Sequence, residues 1–392
     1  MDERVPVDCL AKAQALAPVI AAAVPRIEAN RELPADLVDA LHEARLFRML
    51  LPRSLDGDEV SPVTFLRTIE EIAKADAATA WCVAQTSVCS TIAKALRRET
   101  AEDMFLDPRG VLAWGPTHMS SKAIATDGGY RVTGTWPFAS GSRHATWLAA
   151  HCRLFEADGA PRLSANGEHE EITLVVPRST AEIKDVWHVI GLKGTGSDTY
   201  SLNDVFIPTH RSIAYHALDP SEWLEHGALY SFNIYQLFGS AFPAIALGIA
   251  RAMLDSFEKV AKTKMPAHTT TLLRESAVVQ SQVGVAEAQW NAAHTFLFSA
   301  WEDIWQAAQG KTVTLEQRVR LRMASIHAAQ QARQVADTSY LAAGTLAVLA
   351  SNPFERRFRD MHAVSQQSQS QFAIYETVGR YFLDLPVNPR QI

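Results

Sequence analysis

From about Leu112 to about Pro208 the chain lacks the helical spacing of apolar residues that marks it on both sides. Short alternating runs replace that spacing, Trp147-Leu-Ala-Ala-His151-Cys and Ile172-Thr-Leu-Val-Val-Pro177, with Gly and Pro between them. Alternation at period two marks half-buried strands, and Gly and Pro bound them. The polar stretch from Glu156 to Glu170 reads as an exposed hairpin loop. Upstream, helices are expected to begin near Pro34, Pro62 and Asp76, and the stretch from Ala80 to Ala95 is apolar or small nearly all round, as a buried helix is. Downstream of about Glu222 helical spacing returns, near 235–265, 275–308, 314–350 and 370–384. This pattern predicts a mostly α chain with one central β-domain: a helical unit over 1–113, a β-domain over 114–220 and a helical bundle over 221–392. Gln/Ala-rich faces such as Ala328-Ala329-Gln330-Gln331 suit a bundle that also packs on another subunit.

Composition narrows the partners. A formal net charge of −6, with basic residues spread along all 392 positions, argues against nucleic acid, whose phosphates demand a basic surface. Cys9, Cys82, Cys89 and Cys152 form no CxxC pair and read as buried free thiols. The N-terminus lacks the basic and continuous apolar regions of a signal peptide, and no run of about 18 apolar residues stands out. A cytoplasmic protein without membrane contact is expected. Neither HExxH, a GxSxG elbow nor a P-loop occurs, so metal hydrolysis, serine hydrolysis and P-loop phosphoryl chemistry have no motif.

The string Gly128 to Trp147, GGYRVTGTWPFASGSRHATW, carries the chemistry. Gly128-Gly129 turns the chain, Tyr130 to Thr133 alternates like a strand, and Gly134 permits a second bend. Trp136-Pro137-Phe138 then brings two aromatics up to the small loop Ala139-Ser140-Gly141-Ser142. Aromatic faces beside a hydroxyl and backbone N–H groups suit an isoalloxazine ring, which needs stacking on its face and hydrogen bonds at its edge. The plain alternative is a hairpin corner with two core aromatics and a turn hydroxyl.

This string resembles the flavin-facing strand of the acyl-CoA dehydrogenase superfamily, in its flavin-dependent monooxygenase branch, the oxygenase components of two-component hydroxylases. Gly191-Leu-Lys-Gly-Thr195-Gly-Ser197 with Asp204-Val-Phe-Ile-Pro208, Val279-Gln280 with Ala286-Glu287-Ala288, and Arg359-Asp360-Met-His362-Ala363 resemble further segments of that family, in the same order. The resemblance implies a helical N-terminal domain, a β-barrel-like middle domain and a C-terminal four-helix bundle. It implies that reduced flavin, FADH2 or FMNH2, arrives from a separate NAD(P)H-dependent reductase, reacts with O2 to a C4a-hydroperoxide and oxygenates a small aromatic substrate. It implies flavin contacts at Thr117, Trp136, Phe138, Ser140, Thr195, Ser197, Arg274 and Gln280, with Ser140 at the N5/C4a edge and Gln280 reaching flavin held mainly by a neighbouring subunit in a homotetramer. A surface glutamine is the competing reading of Gln280.

Two departures bear on the substrate. Branch members that hydroxylate phenols often keep a histidine shortly after the RDxHA segment and another after the Trp81-bearing turn. This chain has Gln367 and Cys89 there, and glutamine cannot take a proton near neutral pH. A substrate pocket of Trp81, Cys89 and Gln367 therefore points to a substrate that is electron-rich without deprotonation, an indole-like or other neutral aromatic first and an amine or thioether next, or else to another base, for which His362 is the spare imidazole. Two other classes remain open: an acyl-CoA dehydrogenase, for which Ile374-Tyr375-Glu376-Thr377 offers a carboxylate, and a non-catalytic relative that only binds.

Overall fold

The computed structural model describes residues 8–116, 120–214, 223–310, 312–388 and 392. Five helices come first: α1 (Cys9–Asn30), α2 (Ala35–Glu43), α3 (Pro62–Ala75), α4 (Ala77–Ser90) and α5 (Arg98–Phe105). α1 packs on α3 and buries the stripe Cys9, Ala13, Ile20, Ala23 and Ile27. Asp76 starts α4: its carboxylate accepts from the Thr79 N–H at 2.7 Å and the Thr79 hydroxyl at 2.8 Å, satisfying a donor that the first turn leaves open. All of α4 is buried except Trp81 and Gln85, as its all-round apolar character predicts.

One eight-stranded sheet follows, built from β1 (Leu112–Trp114), β2 (Lys122–Thr126), β3 (Gly129–Ala139), β4 (Trp147–Phe155), β5 (Glu171–Pro177), β6 (Glu182–Lys184), β7 (Asp198–Pro208) and β8 (Ser212–Ile213). Its order is β6-β7-β3-β2-β4-β5-β8, with β1 parallel to β4 off that path. β4 and β5 are antiparallel, so the polar stretch between them closes a hairpin. β3 and β7 pair antiparallel with irregularities between Val132 and Gly134 and between Trp136 and Ala139. The bend expected at Gly134 is thus a bulge inside a continuous strand; a Cβ there would stand 2.7 Å from Ser121 Oγ.

The bundle comprises α6 (Ile234–Thr263), α7 (Ala277–Gln309), α8 (Leu315–Ala343), α9 (Pro353–Val364) and α10 (Tyr375–Phe382). A capping box between Asn233 and Gln236 opens α6, which is buried throughout 239–250 among α3, α4, α8 and α9. By length and composition α1 and α6 are apolar enough to cross a membrane; the core explains α6, whose apolar window is 89% buried. Two expected helices are shorter than their spacing suggests. α8 stops at Ala343 because Gly344 turns to φ +62°, and the stretch near 370–384 is two 3₁₀ turns followed by the short α10. All four cysteines are buried free thiols.

Candidate functional site

The bulge at the end of β3 separates the aromatic string into an inside and an outside. Phe138 sits at φ +54°, a backbone state that bulky residues rarely adopt and that is retained where a side chain must be aimed. Trp136 is 0% exposed: it stacks on Tyr200 at 5.1 Å and donates its N–H to the His151 carbonyl at 2.9 Å. Closed inside the sheet, Trp136 offers no face to a flavin, which corrects the expectation for it. Phe138 is 61% exposed and meets the edge of Trp187 at 6.0 Å. Asp198, buried beside Arg143 at 2.7 Å, accepts from the Trp187 backbone N–H, and the Trp187 indole donates to the Leu192 carbonyl at 3.1 Å.

Ser140 follows, 6% exposed, at one end of a chain of hydroxyls. The Trp81 indole N–H donates to Ser140 Oγ at 3.0 Å; Ser140 Oγ lies 2.7 Å from Ser197 Oγ, which lies 2.7 Å from Thr195 Oγ1. Thr195 donates to the Leu192 carbonyl at 2.9 Å. The Gly141 N–H to the Thr195 carbonyl, 2.9 Å, fastens the two loops together. Thr195 and Ser197 therefore stand behind Ser140, both buried, rather than beside a ligand. The N–H groups of Thr195 and Gly196 are spent on the Leu192 and Lys193 carbonyls.

The RDxHA segment supports this loop through its aspartate. Asp360 is fully buried, accepts from the Leu192 N–H at 2.7 Å and pairs with Arg356 at 3.3 Å, which also reaches Asp76 at 2.8 Å. Burial pushes the Asp360 carboxyl up to about 7, with the Arg356 charge and the Leu192 N–H opposing. His362 lies two residues further along α9, roughly 200° round the helix. It contacts Asp337 of α8 at 3.1 Å and the Phe358 ring at 4.3 Å. It faces the bundle, away from the Ser140 loop, and is not placed to act there as a base.

Directly beside the hydroxyls stands a stack of aromatic rings. Trp81 stacks on Phe242 at 4.1 Å, and Phe242 on Phe238 at 5.6 Å. Gln85, one turn after Trp81, directs its amide N–H₂ to the Trp114 carbonyl at 3.4 Å and towards Cys89 Sγ at 3.6 Å. Cys89 is 1% exposed, and burial raises its thiol pKa, so it stays neutral behind Gln85 instead of opening onto the wall. Gln85 is the residue that sequence reasoning missed; as the lone amide of an apolar helix, one turn from Trp81, it was recognisable. Gln367 accepts the Gln369 N–H and caps a 3₁₀ turn, a local structural role. Glu376 lies on α10 with an exposed side chain, 3.5 Å from Arg380, and supplies no carboxylate to this wall.

Arg274 and Gln280 are exposed at the start of α7, where the Gln280 amide donates to the Arg274 carbonyl at 3.1 Å. Within one chain they are joined to each other and not to the Ser140 group. Thr117 lies outside the described residues. What remains is the exposed Phe138 with Trp187 at its edge and the Ser140 hydroxyl two residues on, the aromatic face and polar group that a flavin ring would require.

Residues 12–104 match the family described as acyl-CoA dehydrogenase, N-terminal domain, and residues 240–372 that described as acyl-CoA dehydrogenase, C-terminal domain. An indole-3-acetate monooxygenase of Acinetobacter baumannii is 27% identical, over 88% of this chain and 86% of its own. The oxygenase subunit HsaA of a flavin-dependent monooxygenase of Rhodococcus jostii is 26% identical over 89% and 91%. Among solved structures, XiaF from a Streptomyces species, in complex with FADH2 and glycerol, superposes with a TM-score of 0.89 at 24% identity, over 96% of this chain and 95% of its own. With both terminal domains matched across more than half of its length, the chain belongs to the acyl-CoA dehydrogenase family.

Proposed function

We propose that the protein is the oxygenase component of a two-component flavin-dependent monooxygenase that hydroxylates a small neutral aromatic or heteroaromatic, indole-like substrate. The observation that carries this reading is the Ser140 hydroxyl, two residues from the exposed Phe138 and bonded to Trp81 of an uncharged group with Gln85, Trp114, Phe238 and Phe242. The names of the relatives agree with it. Bound reduced flavin, FADH2 or FMNH2 from an NAD(P)H-dependent reductase, supplies the electrons that activate O2. The chain's own residues bind and orient. Phe138 and Trp187 cover the ring, the Ser140 oxygen meets its edge, and the aromatic wall keeps water from the reacting atoms. Gln85 can accept from a ring N–H or donate to a ring substituent without moving a proton. A dehydrogenase acting on acyl thioesters needs a carboxylate at this place, and Glu376 is on the outer side of α10.

We further propose a homotetramer in which Arg274 and Gln280 reach a neighbouring subunit's flavin; the exposed Val278 and Val285 on the same helix suit such a contact. The test couples the protein to a flavin reductase with NADH, FMN or FAD, and compares indole, indole-3-acetate and 4-hydroxyphenylacetate. Oxygenated product from the indoles is expected. Turnover of the phenol alone, or desaturation of an acyl thioester, overturns the reading.

A further inference from the structure

We propose that the junction of α6 and α8 is a binding site for one small monovalent anion, a halide or the head of a small carboxylate, built on Arg322, Arg318 and Gln236. The site lies on a different face of α6 from Phe238 and Phe242 and does not depend on how a flavin binds.

Arg318 and Arg322 stand one turn apart on α8 and line a cavity of about 10 Å³ together with Gln236 and Gly239 of α6. Arg322 is 6% exposed. A guanidinium carries five N–H groups and keeps its proton at neutral pH. Arg322 Nη2 donates to Gln369 Oε1 at 2.6 Å, whereas its buried Nε has no partner among the described residues. Gln236 is as buried, and its Oε1 accepts the Asn233 N–H at 3.0 Å. Its buried Nε2 likewise has no partner among the described residues. Gly239 makes the room, because a Cβ there would stand 2.7 Å from Arg322 Nη1. Both unsatisfied atoms are donors, one on a cation.

A buried charge is costly unless an opposite charge or several dipoles replace its water. Arg48, buried as deeply, is met by the carbonyls of Leu55, Asp56 and Phe105. Arg322 has one amide oxygen in their place. Burial lowers its pKa to about 10 and that of Arg318 in the same direction, and no carboxylate among the described residues opposes it. The missing element is negative charge.

Size narrows the ligand. A cavity of about 10 Å³ is about one water-sized sphere, which admits a halide or a carboxylate head and is too small for phosphate. Arg318 also lines a second cavity, of about 450 Å³, with His226, Ser231 and Val313. The two cavities meet at its side chain, which gives an anion a route in and a carboxylate space for its remaining atoms.

The test records melting curves of the full chain at constant ionic strength, replacing sodium gluconate by chloride, bromide or formate. Each small anion, at about ten times its dissociation constant, should raise the melting temperature by about 2 °C. The rise should saturate, as a site does and bulk salt does not. Arg322→Met, which keeps the length and drops the charge, should lose the saturable response. Wild-type crystals soaked in bromide should show an anomalous peak within hydrogen-bond reach of Arg322 Nε and Gln236 Nε2, a result that needs no variant. A response to formate at lower concentration than bromide assigns the carboxylate as the preferred form, and the reverse assigns the halide. Equal melting in all four salts, an undiminished saturable response in folded Arg322→Met, or a carboxylate of this chain or a second copy seated on Arg322 in those crystals overturns the proposal.

Discussion

The two sides of the candidate site, which meet at Trp81, are built on opposite physical terms. The β3 side is a set of directed bonds, from Trp81 through Ser140, Ser197 and Thr195 to Leu192, anchored by Asp360. The helical side is a stack of rings, Trp81 on Phe242 on Phe238, held by contact area and shape. Hydrogen bonds fix orientation to a fraction of an ångström and fail when one member is lost, whereas ring packing tolerates substitution at a cost graded by volume. The directed wall suits a cofactor of unchanging shape, and the packed wall a substrate that differs between relatives.

Asp360→Ala should break the directed wall with the largest effect. It leaves Leu192 N–H without its acceptor and Arg356 with Asp76 as its one carboxylate partner among the described residues; loss of one member of a buried pair costs about 3 kcal/mol or more. A thermal melt checks it, and a melt like that of wild type would show that the loop holds without α9. Phe242→Leu, on the other side, should cost about 1 kcal/mol by the same measurement. A loss as large as that of Asp360→Ala would mean that the two sides are not separable.

His144 sharpens the contrast through pH. Its imidazole lies beneath Gly141 with a buried Nε2 that has no partner among the described residues, and burial first, then the charges of His42 and Arg178, lowers its pKa to about 4. The unfolded chain therefore binds this proton from about pH 6.5 downward and the folded chain only near pH 4, so stability is lost as pH falls through that window. Denaturation curves of His144→Gln should lack this loss, and the stability difference between wild type and variant should shift towards the variant as pH falls from 6.5 to 4. A constant difference would mean that His144 does not titrate with unfolding. The smallest effect is expected at Gln85→Leu, which removes an amide from the packed wall. KM for indole should rise by about threefold or less, with product formed per NADH unchanged.

Much of the architecture was legible in local pattern. The helical, sheet, helical order followed from the change of period, and the burial of α4 followed from residues that are apolar or small on every side. The site was less so, for identifiable reasons. Residues two apart in a strand share a face, so Trp136 and Phe138 read as a pair; the bulge and the left-handed Phe138 put one inside and one outside. Ser140 and Ser197 come from separate segments, and no local pattern shows that their hydroxyls meet. In the RDxHA segment the histidine drew attention as a base, yet Asp360 faces the site loop and His362 faces Asp337. Gly344 was a stop signal for α8 that apolar spacing alone passed over.

α4, closed off on almost every side, also bears on how the molecule comes apart. It touches α3, α6, α9, β1 and the turn at 193–195, so no layer of the protein can separate without uncovering it. Its short apolar side chains have little affinity for water once stripped of those neighbours. Helical units and sheet should therefore melt together, in one calorimetric transition whose enthalpy matches the steepness of the curve. The helix that carries Trp81 thus makes integrity of the cleft and integrity of the whole chain a single equilibrium.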